Sequence, residues 1–392
     1  DEEFGGDWLV SKWIGEQLSR KHEKPFFLAC GIYRPHEPWF VPKKYFEPFP
    51  LEDIQLPPGY KEDDLDDLPP QGKRRGPNRY FAHIRKHKQW KQGIQAYLAS
   101  IHFADAMLGR VLDALENGLN KENTIVVLWS DHGWHLGEKQ HWQKFTAWRV
   151  CTRVPLIVRV PKGTPGLRAG TKAGSVSVQP VNLLSLFPTL TELVGLPAKP
   201  DNDGPSLVPL LKNQDADWKH VSLTHLSQPG SYGLSAKDWR YVHYSNGEEE
   251  LYDTVKDPYE WNNLAASVDH SAKLAELRVL GPKKFAPRVE SKLESLPALR
   301  WRSAKKGPTP ASKPDGNPFD VIFINRRQTT VELLWMDRAS KAKSYGAIKP
   351  GKNKRQQTRP GAVWQIRDAD SKLPLGHFTV GDRKSKAVIP KI

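Results

Sequence analysis

The 392-residue chain is poor in cysteine and has no long apolar run. Only Cys30 and Cys151 are present, so a disulfide framework is excluded and one disulfide is the maximum. No stretch reaches the roughly 18 apolar residues that a membrane-spanning helix needs, so no transmembrane segment is predicted. The first ten residues, DEEFGGDWLV, lack the basic and apolar regions of a signal peptide. With 38% hydrophobic and 10% aromatic residues, the chain is expected to fold around its own core.

Acidic residues are scarce only in the last part of the chain. Between Gly281 and Ile392 there are 25 Lys/Arg against 9 Asp/Glu, which leaves 34 against 35 in residues 1–280. A basic region attracts polyanions such as sulfated glycans, acidic lipids and nucleic acids. A solvated, solubilising surface is an equally simple interpretation.

Apolar patterns predict an α/β unit in the first 280 residues. Continuous apolar runs indicate buried strands at Phe26–Ile32, Thr124–Trp129 and Val154–Val160. Helical periodicity predicts helices at Trp8–Leu18, Ile94–Leu115 and Phe187–Val194. Ligands of such sheets collect beyond the carboxyl ends of the strands. The polar segments that follow the first two runs, YRPHEPW and SDHGWH, are therefore expected at the same edge of one sheet.

Composition also predicts where the chain divides. The acidic stretch Glu52–Asp67 is expected to be a surface excursion, and Ser303–Pro318 is rich in Pro, Gly, Ser and Lys, as linkers are. Beyond it, short apolar runs separated by turn residues predict an all-β module. We therefore predict an α/β region at 1–280, a basic Pro-rich linker at 281–318 and a small β-sandwich at 319–392.

The stretch Trp129–Lys144, WSDHGWHLGEKQHWQK, concentrates polar side chains directly after an apolar run. Asp131 and His132 are adjacent, and Gly133 permits the backbone bend that would turn both towards one ion. A carboxylate beside an imidazole suits zinc or a mixed oxygen and nitrogen site, whereas calcium prefers oxygens. Lys144 offers a cation to an anionic substrate. A helix cap and an ordinary exposed lysine are the alternatives for Asp131 and Lys144.

The histidines other than His132 are interpreted differently from one another. His36 lies between Pro35 and Pro38, which hold it on a rigid turn where it can act as an acid or an anion donor. A surface histidine is the alternative. No partner is indicated by the sequence for His135 or His141, and no functional role is assigned to either.

Five segments together resemble the sulfatase family, most closely its iduronate-2-sulfatase-like group. These are RPHEPWFVPKKYFE, SDHGWHLGEKQHWQK, RVPLIVRVP, LFPTLTELVGLP and ELYDTVKDPYEWNNLA, and the resemblance covers about residues 1–270. It implies an alkaline-phosphatase-like mixed sheet flanked by helices. It also implies hydrolysis of sulfate esters in sulfated glycans, with calcium favoured over zinc or magnesium, and a periplasmic or extracellular location.

The resemblance assigns roles to six residues of this chain. Asp131 and His132 match a pair of metal ligands, Lys144 matches a lysine that binds the sulfate, and His36 matches a histidine that contacts the sulfate and its leaving oxygen. Substrate contacts are expected at Trp134 and Arg34.

One part of the family pattern is missing from the sequence. The formylglycine nucleophile arises from a Cys/Ser-x-Pro-x-Arg motif, preceded by two consecutive aspartates that bind the metal, and neither feature is found in residues 1–25. Cys30 stands four residues before Arg34, but Ile32 occupies the place of the proline, so Cys30 is not expected to be the nucleophile. The chain alone is therefore expected to be inactive, as if the first part of the catalytic domain were absent.

The C-terminal residues carry a second resemblance. From VELLWMDRASKAKSYG to DADSKLPLGHFTVG, within about residues 318–390, the sequence resembles the β domain of the von Hippel–Lindau protein. The resemblance implies a peptide pocket that recognises hydroxyproline. Matching pocket positions are Trp335, Tyr345, Thr358 and Trp364. Ala362 replaces a pocket histidine, and packing of both tryptophans in the sandwich core is the alternative.

Three functions therefore remain open at the level of sequence. The first is a sulfatase whose basic module helps to hold a polyanionic glycan. The second is a metal-dependent phosphodiesterase or phosphatase of the same superfamily. The third is a non-catalytic protein that binds polyanions or peptides; nucleic acid is not expected as a partner.

Overall fold

The computed structural model describes residues 3–286 and 293–391. The chain divides into two compact units, Asp1–Pro287 and Arg288–Ile392. No helix among the described residues is long and apolar enough to cross a membrane.

The first unit combines helices with short strands. Its α-helices are α1 (Gly5–Leu18), α2 (Pro70–Lys73), α3 (Arg79–Lys86), α4 (Trp90–Glu116), α5 (Arg149–Thr152), α6 (Leu186–Leu193), α7 (Val208–Lys212) and α8 (Ser271–Leu280). Its strands are β1 (Val126–Trp129), β2 (His135–Leu136), β3 (Trp142–Gln143), β4 (Leu156–Arg159), β5 (Ser222–His225), β6 (Tyr232–Ser235), β7 (Trp239–His243) and β8 (Glu249–Asp253).

Helices α1 and α4 form the platform of this unit. Trp8 of α1 packs with Ala99, Phe103 and Met107 of α4 in one buried cluster. These positions recur every three or four residues, so one apolar stripe of each helix is removed from water. The predicted helices at Trp8–Leu18, Ile94–Leu115 and Phe187–Val194 are confirmed, with α4 starting four residues earlier than expected.

The predicted strand at Phe26–Ile32 is wrong. The segment makes no strand pairing within the described residues, and Phe27 is 83% exposed, whereas Phe26 and Leu28 pack beside α1 and α4. Only one face of the segment is therefore buried, which a continuous apolar run does not reveal. The strands β1 and β4 form as predicted, but they pair antiparallel, with Val126 opposite Arg159. Their carboxyl ends consequently lie at opposite edges.

The second unit is a β-sandwich. Its strands are β9 (Trp301–Ser303), β10 (Phe319–Asn325), β11 (Val331–Met336), β12 (Ala342–Ile348), β13 (Asn353–Thr358), β14 (Val363–Asp368), β15 (Pro374–Thr379) and β16 (Ser385–Ile389). One sheet has the order β13-β10-β16, and the other has the order β12-β11-β14-β15-β9. Alternate residues of both sheets, including Val321, Phe323, Leu333, Ile366 and Phe378, fill the core between them.

Much of the stretch predicted as a linker is packed on this sandwich. Residues Trp301–Ser303 form β9, which pairs with β15. Ser312 is buried, and its hydroxyl accepts a hydrogen bond of 2.8 Å from the Val363 amide. The amide of Lys313 donates to the Gly361 carbonyl at 3.0 Å. The β unit therefore includes residues before Phe319, because its five-stranded sheet has a second face that this segment helps to cover.

Candidate functional site

A short turn anchored to α1 carries His36. The buried Asp7 of α1 accepts hydrogen bonds from the backbone amides of Tyr33 at 2.6 Å and Arg34 at 3.1 Å. On the other side, the indole of Trp39 donates to the Pro35 carbonyl at 2.7 Å. The turn is thereby fixed at both ends, and His36 lies between the two attachments.

The tautomer of His36 follows from its neighbours. Nδ1 lies 2.6 Å from the Glu37 carbonyl oxygen, which can only accept, so Nδ1 carries the proton. The hydroxyl of Tyr33 lies 2.8 Å from the same nitrogen. In the neutral ring, Nε2 is therefore left with a lone pair on the side that faces Lys144.

Lys144 projects from a backbone with unusual dihedral angles. Gln143 has φ of 86° and Phe145 has φ of 76°, so both neighbours of Lys144 lie in the left-handed region that non-glycine residues rarely occupy. The side chain of Gln143 donates a hydrogen bond to the Glu37 carboxylate of the His36 turn. Strained residues of this kind persist where surrounding contacts determine them, and they concentrate at functional sites.

The structure brings His36, His132 and Lys144 together, and we refer to these three residues as the outer cluster. The ammonium of Lys144 donates to Nε2 of His132 at 2.9 Å and lies 3.5 Å from Nε2 of His36. Nδ1 of His132 donates to the Gly133 carbonyl at 2.8 Å, so its Nε2 is the acceptor. One cation thus stands between two imidazole nitrogens from distant parts of the sequence.

Asp131 completes only part of a metal site. Its carboxylate is 82% exposed and lies 3.5 Å from Nε2 of His132. Calcium takes about six to eight oxygen ligands. Among residues 3–286 and 293–391, no group of three or more His, Cys, Asp or Glu side chains is arranged to hold a metal. Because Lys144 also occupies the lone pair of His132, Asp131 and His132 alone do not make a calcium site, and we derive no chemical step through one.

Trp134 and Arg34, the two predicted substrate contacts, do not lie in open positions. Trp134 is 7% exposed and lies behind the outer cluster, with its ring centroid 6.3 Å from those of His36 and His132. Its indole N–H has no protein acceptor among the described residues. Arg34 donates to the Phe40 carbonyl at 3.0 Å within its own loop. The first therefore supports the imidazoles, and the second braces the turn.

Cys30 is exposed on the unpaired segment before the turn. Partial desolvation raises the pKa of its thiol, and the neighbouring Asp7 carboxylate raises it further. A raised pKa reduces the thiolate fraction, which is the nucleophilic form. The environment of Cys30 is therefore unlike that of an activated nucleophile.

A second polar cluster, to which the same loop contributes Lys139, is fully enclosed. We refer to Asp64, Lys139, Arg240, Glu250 and Glu260 as the inner cluster. Lys139 is 2% exposed and donates to the Asp64 carboxylate at 2.7 Å and to the Glu260 carbonyl. Burial raises the pKa of Asp64 to about 7, although its bond to Lys139 acts in the opposite direction. The acidic stretch predicted as a surface excursion is thus tied into the core at Asp64.

Both remaining histidines of the loop have structural partners, which the sequence did not indicate. The buried His135 donates from Nδ1 to the Glu138 carbonyl at 3.0 Å and accepts from the Thr146 hydroxyl at 2.6 Å. His141 lies with Nε2 3.0 Å from the Lys144 carbonyl and Nδ1 2.6 Å from the Arg75 carbonyl. Burial lowers the pKa of both rings. These residues hold the loop that presents Lys144.

The pocket positions of the β unit lie together but are largely enclosed. Trp364 is 2% exposed, donates to the Thr358 hydroxyl at 2.9 Å and packs edge-on against Tyr345 at 5.0 Å. Trp335 is directly opposite Trp364 in the β11–β14 ladder and packs against the core. The four side chains therefore contribute to the sandwich core, with Trp335 and Tyr345 half-buried at one end of it.

Sequence reasoning did not identify three residues that shape the site. Tyr33 orients the His36 ring, Asp7 holds the turn, and Gln143 connects the loop to Glu37. The spacing of Tyr33, three residues before His36 in a proline-flanked turn, was a usable signal for the first. The other two contacts join residues that are distant in sequence, with no local pattern to indicate them.

Comparison with known proteins identifies the first unit. Residues 8–196 match the family model Sulfatase, and residues 137–279 match the model N-sulphoglucosamine sulphohydrolase, C-terminal. Residues 8–279 belong to the sulfatase family. The resemblance predicted from the sequence is therefore confirmed, together with the α/β fold class. Residues 312–378 match the VHL beta domain, which confirms the second resemblance.

Curated relatives extend beyond the aligned region. A sulfatase from Formosa agariphila is 40% identical over 285 residues, which are 71% of this chain and 54% of that protein. The iduronate 2-sulfatase of Mus musculus is 35% identical over 278 residues, covering 60% of this chain and 49% of that one. The chain thus spans about half the length of these sulfatases.

Solved structures show the same fold for the first unit. A phosphonate monoester hydrolase from Silicibacter pomeroyi aligns with a TM-score of 0.60 at 23% identity, covering 71% of this chain and 59% of that one. A protein bound to its substrate D-glucosamine-2-N,6-O-disulfate aligns with a TM-score of 0.56 at 23% identity, covering 69% and 68%. At this identity the likeness establishes the alkaline-phosphatase-like fold alone.

Proposed function

We propose that the outer cluster binds the sulfate group of a sulfated glycan, and that the protein hydrolyses the sulfate ester. The observation that carries the proposal is the position of the Lys144 ammonium, within 3.5 Å of Nε2 of both His36 and His132. The Lys144 ammonium and, when it is protonated, the His36 imidazole can both donate to an anion there, in a family whose named relatives are sulfatases.

Each side chain has a distinct task in this proposal. Lys144 neutralises the non-bridging sulfate oxygens, on which negative charge must be stabilised as the S–O bond breaks. His36, when protonated at Nε2, donates that proton to the bridging oxygen, so that the glycan leaves as an alcohol. Because Nδ1 of His36 is committed to the Glu37 carbonyl, only Nε2 exchanges its proton with the substrate.

Asp131 and His132 are proposed as two ligands of a divalent metal site. The sulfatase resemblance favours calcium and a formylglycine nucleophile, and residues beyond these two would have to complete both. We assign neither Cys30 nor any other described residue to the nucleophile. Export to the periplasm or the exterior is proposed on the same family basis.

A phosphatase or phosphodiesterase of the same superfamily is less well supported. The fold does not separate the two reactions, since a phosphonate monoester hydrolase shares it. The sequence relatives include proteins named as sulfatases, among them an N-acetylglucosamine-6-O-sulfatase of Bacteroides thetaiotaomicron that is 32% identical over 204 residues. Sulfate is therefore the proposed group.

Sulfate release from a sulfated glycan tests the proposed reaction, measured on the protein as it is expressed from its own gene. We expect H36Q and K144M each to lower kcat/KM by about 10²- to 10⁴-fold, the contribution typical of a positioned acid or cation. K162M changes an exposed lysine of the same unit and serves as the control. Wild-type rates in both site variants would contradict the assignment.

A further inference from the structure

One side of the β unit carries a concentration of positive charge that its pocket positions do not explain. Residues 338–367 contain nine Lys/Arg and no Asp/Glu. They span β12 and β13, which are end strands of different sheets, the turns next to them and most of the central strand β14, which carries Arg367. Both end strands of this side of the sandwich are therefore positively charged.

The register of the strands places two of these basic residues, both lysines, opposite aromatic residues. Lys343 is opposite Trp335 in the β11–β12 ladder, and Lys354 is opposite the core residue Phe323 in the β10–β13 ladder. Opposite residues of an antiparallel ladder point to the same face, so both lysines lie on the inner side of their sheets. The ammonium of Lys354 donates to the Tyr345 carbonyl, which joins the two end strands.

Most of this charge has no acidic partner. Among the described residues, the ion pairs of residues 338–367 are Arg355 with Asp320 and Arg367 with Glu332. Lys341, Lys343 and Lys352 are exposed and form no ion pair with the described acids. We refer to these three lysines as the basic edge.

The simplest alternative to a binding site is that these lysines prevent sheets from pairing edge to edge, as lysines on end strands do. That role requires charge on the strands themselves. Here the positive charge continues into the turns, at Arg338, Lys349 and Lys352, where no strand pairing is at risk. Prevention of edge-to-edge pairing also does not require that a stretch of thirty residues lack acidic residues, because charge of either sign is sufficient.

We propose that the basic edge binds a sulfated glycan. Lys341, Lys343 and Lys352 contact sulfate groups, and the exposed faces of Trp335 and Tyr345 offer apolar contact to the sugar rings. The choice of sulfated glycan among polyanions rests on the sulfatase function proposed above. The surface itself rests on the charge and register of the β unit.

Binding of the full chain to heparin tests the proposal, with affinity measured over a series of salt concentrations. The test variant is K341Q/K343Q/K352Q. The matched control, K305Q/K306Q/K313Q, removes the same charge from exposed lysines of the same unit that lie outside the edge. We expect about tenfold or greater weakening and a shallower salt dependence in the test variant only, because fewer counterions are released.

Two further measurements separate this site from the catalytic one and from other partners. Heparin binding is expected to survive in K144M, because the basic edge does not use the outer cluster; a wild-type protein that binds heparin but releases no sulfate would break the catalytic proposal alone. Equal weakening in test and control variants would overturn the basic edge as a site. Tighter binding of double-stranded DNA or of a hydroxyproline peptide than of heparin, lost in the test variant, would overturn the glycan as its ligand.

Discussion

The outer and inner clusters draw on the same short loop but place its charges in opposite environments. Lys144 is partly accessible and faces two imidazoles without an acidic partner among the described residues, whereas Lys139, five residues earlier, is enclosed with carboxylates. The comparison shows that a lysine's partners decide its role. A cation without an acidic partner attracts an incoming anion, whereas a cation paired in the core is already satisfied.

The largest effect is expected when Lys139 is changed to Met. The substitution leaves Asp64 and the Glu260 carbonyl without their buried donor, and breaking such a pair costs about 3–5 kcal/mol of unfolding free energy. Urea denaturation followed by tryptophan fluorescence measures the loss. K162M, in an exposed position, is the control and is expected to match the wild type. A K139M protein as stable as the wild type would show that the inner cluster is not structural.

A smaller loss is expected for Thr146→Val. The change removes the hydroxyl that donates to Nε2 of the buried His135, and an unsatisfied buried acceptor costs about 1–3 kcal/mol. T191V, which removes a hydroxyl bonded to the exposed part of helix α6, is the matched control. The same denaturation experiment compares them. Equal effects of both substitutions would argue against a specific contact at His135.

The buried histidines predict a pH dependence of stability. Burial lowers the pKa of His135 well below its usual 6.5, so below that pH the unfolded chain binds more protons than the folded one. Stability from this source is complete above about pH 6.5 and decreases as the pH falls, in the direction set by the lowered pKa. The melting temperature between pH 8 and 5 is therefore expected to fall less steeply in H135Q. Parallel curves for the two proteins would exclude His135 as a source of this dependence.

The smallest change in stability is expected for K144M. Lys144 has no buried ion pair to lose, so the unfolding free energy should stay within about 0.5 kcal/mol of the wild type. Near-identical denaturation curves of K144M and the wild type, together with altered ligand binding by K144M, would show that Lys144 acts in binding, whereas Lys139 acts in stability. A loss as large as that of K139M would instead place Lys144 among the structural residues.

The sequence predicted the helices and the members of the outer cluster for identifiable reasons. Helix α4 has a long apolar periodicity, and the motifs around His36 and Lys144 are distinctive enough to indicate a family. The predicted route to their convergence was nevertheless wrong, because Phe26–Ile32 is unpaired and β1 and β4 are antiparallel. The turn is positioned by Asp7 and Trp39 instead, through contacts that no local pattern encodes.

Burial of charge was the feature least visible in the sequence. Asp64 lies in an acidic stretch that composition assigns to the surface, and its partner Lys139 is distant along the chain. In the β unit, short apolar runs separated by turn residues predicted the strands, but they did not predict that residues around Ser312 pack on the sheet. Both results depend on tertiary partners rather than on local propensity.

Titration of the chain with a sulfated monosaccharide tests the central claim most directly. Glucosamine 6-sulfate and unsulfated glucosamine are titrated into the wild type, K144M and K162M by isothermal calorimetry at constant ionic strength. We predict that the wild type and K162M bind the sulfated sugar, that both discriminate against the unsulfated one, and that K144M binds about tenfold more weakly or not at all, a difference of about 1.4 kcal/mol or more. Equal affinity of K144M and the wild type for the sulfated sugar would contradict the assignment of the outer cluster as a sulfate site.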